Sequence, residues 1–291
     1  MNKVSLILLD QTAIDKCSTT QEEFDSWVEI LIKHLGSGAL AAAQKNFSLS
    51  HVSHIGRCAL ILKALSEIDG FNKIMRQIYS QGSFSLYEPH GEWFHLHVAY
   101  LLHALGEEGL KLEQVINGKP KDIWLRGGSL LIECKSFDIS STFRKILFSQ
   151  DPTLGPEDDE RTFTLRLRRL GYSGLSSPIG ISEEYRFVRN AIEEKYHQME
   201  TGRCNVLAFN LDPFGRSANG LRPPLLKILQ EEGRKLISAF LVLGRRSDSN
   251  KTLKSRSFGF DVDLVCNPTA AVVVPEDLVE QLEGRGSIEL P

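Results

Sequence analysis

Apolar residues return every three or four positions after Thr20, at Phe24, Trp27, Val28, Leu31 and Leu35, until Gly36 stops the run. That spacing predicts an amphipathic helix, and Thr20-x-x-Glu23 is a capping box for its first turn. A second helix is expected from His51 to Ile68, ending before Gly70, and a third from Glu92 to Leu105, ending at Gly106. Residues 1–85 therefore read as an N-terminal helical region. Past Pro120 the period changes from helical to two. Ile123, Leu125, Leu130, Ile132 and Cys134 line one face of two short runs joined by Gly127-Gly128. Glycine tolerates the positive φ of a tight hairpin turn, so the pair predicts a two-residue connection.

The rest of the chain alternates strands with helices. A helix is expected from Glu183 to Met199, then strands at Asn205–Asn210, Leu236–Leu243 and Val262–Val265. Asn267-Pro268 reads as a turn, Ala270–Val274 as a further strand, and Pro275 as the opening of a closing helix. The fold class is α/β: a mixed central β-sheet flanked by helices, mixed because the hairpin pair is antiparallel. Residues 86–291 form the second region, with an insertion at about 138–182.

Centring the turn on Gly127-Gly128 pairs Leu125 with Leu130, Trp124 with Leu131, Ile123 with Ile132 and Asp122 with Glu133. The two carboxylates then stand opposite each other on one face, their Cβ atoms roughly 4.5–5.5 Å apart. Lys135, two residues past Glu133, shares that face. Like charges directly opposite are destabilising. A divalent cation held by oxygen ligands offsets the repulsion, and a neighbouring lysine suits a nucleophilic water or charge developing on phosphate oxygens. The plain alternative is an exposed strand face with an ordinary salt bridge.

Pro120, Asp122, Glu133 and Lys135 resemble the PD-(D/E)XK nuclease superfamily, with Lys121 inserted between the proline and the aspartate. The resemblance covers residues 86–275, and its sharp part is the hairpin. It implies a restriction-endonuclease-like core and a Mg²⁺- or Mn²⁺-dependent phosphodiesterase, with DNA the expected substrate. It further implies metal ligation by Asp122, Glu133 and the backbone carbonyl of Cys134, with Lys135 positioning the attacking water. Glutamates on the preceding helix of such enzymes often join the metal shell, which gives Glu92 one reading. Its other reading is an acid complementing the dipole of the first helical turn.

A second Glu-x-Lys, Glu193-Glu194-Lys195, sits in a helical pattern and reads as a solvated helix face. Lys195 and Gln198, three apart on that helix, carry a second reading as supporting residues turned toward the hairpin, by resemblance to branches that place a lysine or glutamine there. The insertion carries Arg166, Arg168 and Arg169 interleaved with Leu165 and Leu167. They read either as phosphate contacts or as a salt-bridged surface. His90, His95, His97 and His103 contain no i, i+4 pair, so they read as structural or surface histidines rather than metal ligands. Asp261 and Asp263 read as a strand end.

Composition narrows the partners. At net charge −3, the chain is not a histone-like electrostatic binder. Five scattered cysteines without a C-x-x-C pair suit a reducing compartment and neither a disulfide framework nor a zinc site. The apolar run Val4–Leu9 ends at Asp10, too short for a signal or a membrane span, so a cytoplasmic protein without a membrane partner is expected. Two rivals stand beside the DNA endonuclease: a nuclease-fold nucleic-acid-binding or assembly protein without turnover, and an RNA-cleaving enzyme of the same fold. Oligomeric state stays open, a homodimer included.

Overall fold

The computed structural model describes residues 20–43, 49–80, 91–136, 181–210, 218–231, 234–245, 258–286 and 288–290. Four helices come first: α1 (Gln21–Ala43), α2 (Leu49–Leu65), α3 (Phe71–Ser80) and α4 (Glu92–Ala104). Strands β1 (Lys111–Ile116), β2 (Lys119–Leu125) and β3 (Leu130–Lys135) follow, then α5 (Ile181–Tyr196), β4 (Cys204–Asn210) and α6 (Ala218–Glu231). The chain closes with β5 (Ala239–Arg245), β6 (Phe258–Cys266), α7 (Glu276–Leu282) and β7 (Ile288–Leu290). The Glu23 N–H donates to Thr20 Oγ1 at 3.1 Å, as the capping sequence requires. Gly36 interrupts α1 at φ 75°, ψ 161°.

The seven strands pair in sequence order. β1, β2 and β3 form an antiparallel meander, β3, β4 and β5 run parallel, and β6 and β7 return antiparallel. The two parallel steps need crossover connections, and α5 and α6 lie within them. Alternation along β4 and β5 then feeds two cores. Val206, Ala208 and Leu241 pack with Phe24, Leu62, Phe71 and Phe94 of the N-terminal helices. Leu207, Phe209, Phe240 and Val242 pack with Val188 and Ile192 of α5 and Leu225 and Ile228 of α6. A sheet covered on both faces reads as near-continuous apolar runs, which is how β4 and β5 look in sequence.

Several elements depart from expectation. β1 is a strand rather than a link, turned into β2 at Asn117-Gly118, both at positive φ (51° and 75°). That dipeptide is a strong hairpin signal in its own right. α3, α6 and β7 were not expected, and Pro223-Pro224 lies inside α6. Ala270–Val274 forms no strand. β5 is already flanked by β4 and β6, and the segment instead bonds from the Ala271 N–H to Lys235 O at 2.8 Å and accepts Ser238 Oγ–H at Val272 O. No helix among the described residues is long and apolar enough to cross a membrane.

Candidate metal centre

The β2–β3 register is the expected one: Ile123↔Ile132, Trp124↔Leu131 and Leu125↔Leu130. The connection is built differently. Arg126, Gly127 and Gly128, all at positive φ (50°, 66° and 87°), make a left-handed turn closed by the Ser129 N–H on Arg126 O at 3.3 Å. Arg126 tolerates that conformation because its guanidinium is held by Glu107 (Nε to Oε2, 2.9 Å) and by Asp277 (Nη1 to Oδ1, 3.0 Å). Arg203 donates to the Gly128 carbonyl from the far side.

The ladder stops at Ile123↔Ile132, and the site lies just beyond. Asp122 Oδ2 accepts the backbone N–H of Cys134 at 2.7 Å, so its carboxylate reaches across to β3. Glu133 is 2% exposed. Lys195, from α5, donates to Asp122 Oδ2 at 3.0 Å and to Glu133 Oε2 at 3.4 Å. Lys121, wholly buried, places Nζ 3.6 Å from Glu133 Oε1 and 3.5 Å from Glu200 Oε1. From α4, His95 sets Nδ1 3.3 Å from Glu113 Oε1 and Nε2 3.8 Å from Asp122 Oδ2. Asp122 is therefore reached from both helical layers.

The charges divide unequally. Burial, reinforced by the charge of Asp122, lifts the Glu133 carboxyl to about 7 against the pull of Lys195 and Lys121. Burial also opposes ionisation of Asp122, but His95, Lys195 and the Cys134 N–H outweigh it and hold that carboxyl below its ordinary value. Within this pair the fold thus favours the protonated form of Glu133 and the ionised form of Asp122. Burial disfavours charge on His95 and Lys195 as well, yet the acids beside them raise both.

The structure brings Asp122, Glu133 and Lys195 together. Lys135 goes elsewhere: its Nζ donates to both oxygens of Glu194 on α5, at 2.7 and 2.6 Å. The Glu193-Glu194-Lys195 triplet is thus only partly a solvated face. Glu193 and Glu194 are exposed, whereas Lys195 points into the site. Gln198 falls in the turn after α5, its Oε1 buried without a hydrogen-bond partner among the described residues. Cys134 holds its place between Glu133 and Lys135, paired with Ala208. Glu92 is the first residue of α4, but its side chain lies outside the described residues, as do Arg166, Arg168, Arg169 and His90. Asp263 is buried against Arg222 Nη1 at 2.8 Å and accepts the Gly284 N–H, so it anchors structure.

His95, Glu113 and Lys121 were missed as site residues. A search for histidine partners along one helix cannot find His95, whose partners come from β1 and β2. Glu113 departs from the β1 ladder at φ 52°, and only the Asn117-Gly118 register brings it level with Asp122.

Two donor sets are present. Asp122 and Glu133 offer hard oxygens, and Glu133 Oε1 is buried without a hydrogen bond, which fits an oxygen-preferring divalent ion. Such an ion, held by both carboxylates, has to displace the Lys195 ammonium that now bridges them. The second set is His95, Asp122 and the Cys134 thiol, whose ligand atoms lie within 4.8 Å of one another. No protein-family model, curated protein or solved structure matches this chain.

Proposed function

We propose that this chain is a metal-dependent nuclease of the PD-(D/E)XK type that hydrolyses phosphodiester bonds in DNA, in the cytoplasm. The observation that carries the reading is the convergence of Asp122 and Glu133, both buried, on one lysine of α5. A structural ion pair does not need two acids on adjacent strands meeting at one bridging lysine, and burying both costs several kcal/mol per ion.

In this reading Asp122 and Glu133 hold Mg²⁺ or Mn²⁺. The ion supplies Lewis acidity toward a phosphate oxygen and toward water. Asp122 is fixed for the task by the Cys134 N–H. Glu133 would act as a ligand in its ionised form, its proton released to solvent, and Lys195, displaced from the carboxylates, would be available to phosphate oxygens where charge develops. Lys135, partly exposed and paired with Glu194, serves better at the approach to the site than at the reacting atoms.

One observation favours a second reading. Lys195 and Lys121 already neutralise the two carboxylates, as suits a nucleic-acid-binding or assembly protein of the same fold without turnover. The deciding experiment incubates wild type, Asp122→Asn and Glu133→Gln with supercoiled DNA, linear DNA and RNA, in Mg²⁺, Mn²⁺ or excess chelator. The nuclease reading expects metal-dependent cleavage by wild type alone. Absence of cleavage by wild type with either ion hands the case to the second reading.

A further inference from the structure

We infer that His95, Asp122 and Cys134 form a binding site for a borderline-soft divalent cation of the zinc class, through imidazole nitrogen, carboxylate oxygen and thiolate sulfur. This goes beyond the nuclease reading, which requires only the two carboxylates and a hard ion. The three residues come from α4, β2 and β3, and their ligand atoms gather within 4.8 Å of one another. Cys134 and Asp122 are both buried.

The imidazole is oriented for ligation. Its Nδ1 faces Glu113 Oε1 at 3.3 Å, which leaves Nε2 directed at Asp122 Oδ2, 3.8 Å away and too far for a hydrogen bond. A carboxylate behind a ligating histidine, fixing its tautomer and ring angle, is the usual support of a metal-bound imidazole. Glu113 reaches that position at φ 52°, a left-handed conformation that costs a non-glycine residue stability unless its surroundings hold it there. Asp122 is fixed in turn by the Cys134 N–H at 2.7 Å.

The donor set then selects the ion. Thiolate and imidazole suit Zn²⁺ or Co²⁺ over Mg²⁺, Ca²⁺ or Mn²⁺. Three protein ligands leave one tetrahedral position for water or a substrate oxygen.

The test is optical and independent of DNA cleavage. Co²⁺ is titrated into the full chain after metal stripping, and the near-ultraviolet thiolate-to-cobalt band and the visible tetrahedral bands are recorded. Wild type is expected to take one Co²⁺ with both signatures, displaced by Zn²⁺ far more readily than by Mg²⁺, which shares only Asp122 with this site. Cys134→Ser is expected to lose the charge-transfer band. Glu113→Gln should weaken Co²⁺ binding by about 10–100-fold, and His95→Gln, which removes a ligand, should weaken it further, with circular dichroism reporting the fold of each variant. If Cys134→Ser fails to fold, the affinity of His95→Gln carries the test. A wild-type spectrum without a thiolate band overturns the inference. So does a band that persists in Cys134→Ser, or His95→Gln binding like wild type. Cobalt binding as expected with no nuclease activity would leave this site standing and remove only the nuclease reading.

Discussion

Replacing Glu133 by glutamine should remove much of the pH dependence of stability between pH 5 and 8. The carboxyl titrates at about 7 in the fold and near 4.5 when unperturbed, raised by burial and by Asp122. A folded-state value above the unfolded one means that the fold favours the protonated form. This contribution is fully present below about 4.5 and is lost as pH rises through about 7, amounting to about 3 kcal/mol. Two neighbours bear on the same curve. Asp122 is held low, so its contribution is present above its ordinary value and lost only as pH falls into the acid range, outside the window. His95 is raised, so its contribution is present below 6.5 and lost as pH rises through its folded value, with the same sign as Glu133. The assay is urea unfolding in chelator at four pH values, on wild type, Glu133→Gln, and Glu133→Gln with His95→Gln. Wild type should lose stability on going from pH 5 to 8, the single variant much less, and the double variant least. Equal slopes for wild type and Glu133→Gln would refute the preference of the fold for protonated Glu133.

The two lysines separate by cleavage rate: Lys195→Met should lose roughly 10²–10³ in single-turnover rate, the usual cost of one transition-state donor. Lys135→Ala should lose much less and change stability by under about 1 kcal/mol, since its pair with Glu194 is partly exposed; the opposite ranking would return the catalytic role to Lys135. In the turn, Gly127→Ala meets open space and should cost about 1–2 kcal/mol for its positive φ alone. Gly128→Ala adds a Cβ 2.2 Å from Trp124 Nε1 and 2.6 Å from Arg203 Nη1, and should be the more damaging of the two by urea unfolding.

The hairpin was legible in the sequence because two periodicities coincided. Alternation put Ile123, Leu125, Leu130, Ile132 and Cys134 on one face, and all five enter the core beneath the N-terminal helices. Glycine at 127 and 128 fixed where the chain reverses. The shape of the turn was less legible, since the positive φ of Arg126 depends on Glu107 and Asp277, far apart in sequence. The site was half legible for a similar reason. Strict alternation would send Lys121 to the face opposite Asp122, yet Lys121 Nζ lies 3.6 Å from Glu133 Oε1 while Asp122 shares Lys195 with that same glutamate. That breaks the simple pleat just where the β2–β3 ladder stops. Asp122 and Glu133 meet at Lys195 of α5, which local pattern offers only as a supporting residue, whereas the lysine it puts on their strand face, Lys135, pairs with Glu194. Local pattern reports which residues share a strand face; it does not report which side chains a helix delivers onto that face across 60 residues.

Lys195 is also the residue through which the metal reading can be tested without any substrate. Its ammonium contacts both carboxylates, so an ion bound by Asp122 and Glu133 competes with it for the same oxygens. Lys195→Met removes one partner of a buried charge cluster, and the remaining acids then face each other with Lys121 and His95 as the basic groups beside them among the described residues. Breaking a buried pair from one side typically costs about 3–5 kcal/mol, and the loss should appear in chelator as a lowered urea midpoint. If the carboxylates are metal ligands, the same variant should bind Mg²⁺ more tightly than wild type, because no ammonium has to be displaced. Mg²⁺ at a hundred times its dissociation constant would then restore about 2.7 kcal/mol. Asp122→Asn in the Lys195→Met background should abolish that rescue. A purely structural cluster behaves otherwise: the variant is destabilised and neither Mg²⁺ nor Mn²⁺ brings it back. Destabilisation without rescue would therefore remove the hard-metal site, and the nuclease reading with it, while leaving the His95–Asp122–Cys134 cobalt spectrum to be judged on its own bands.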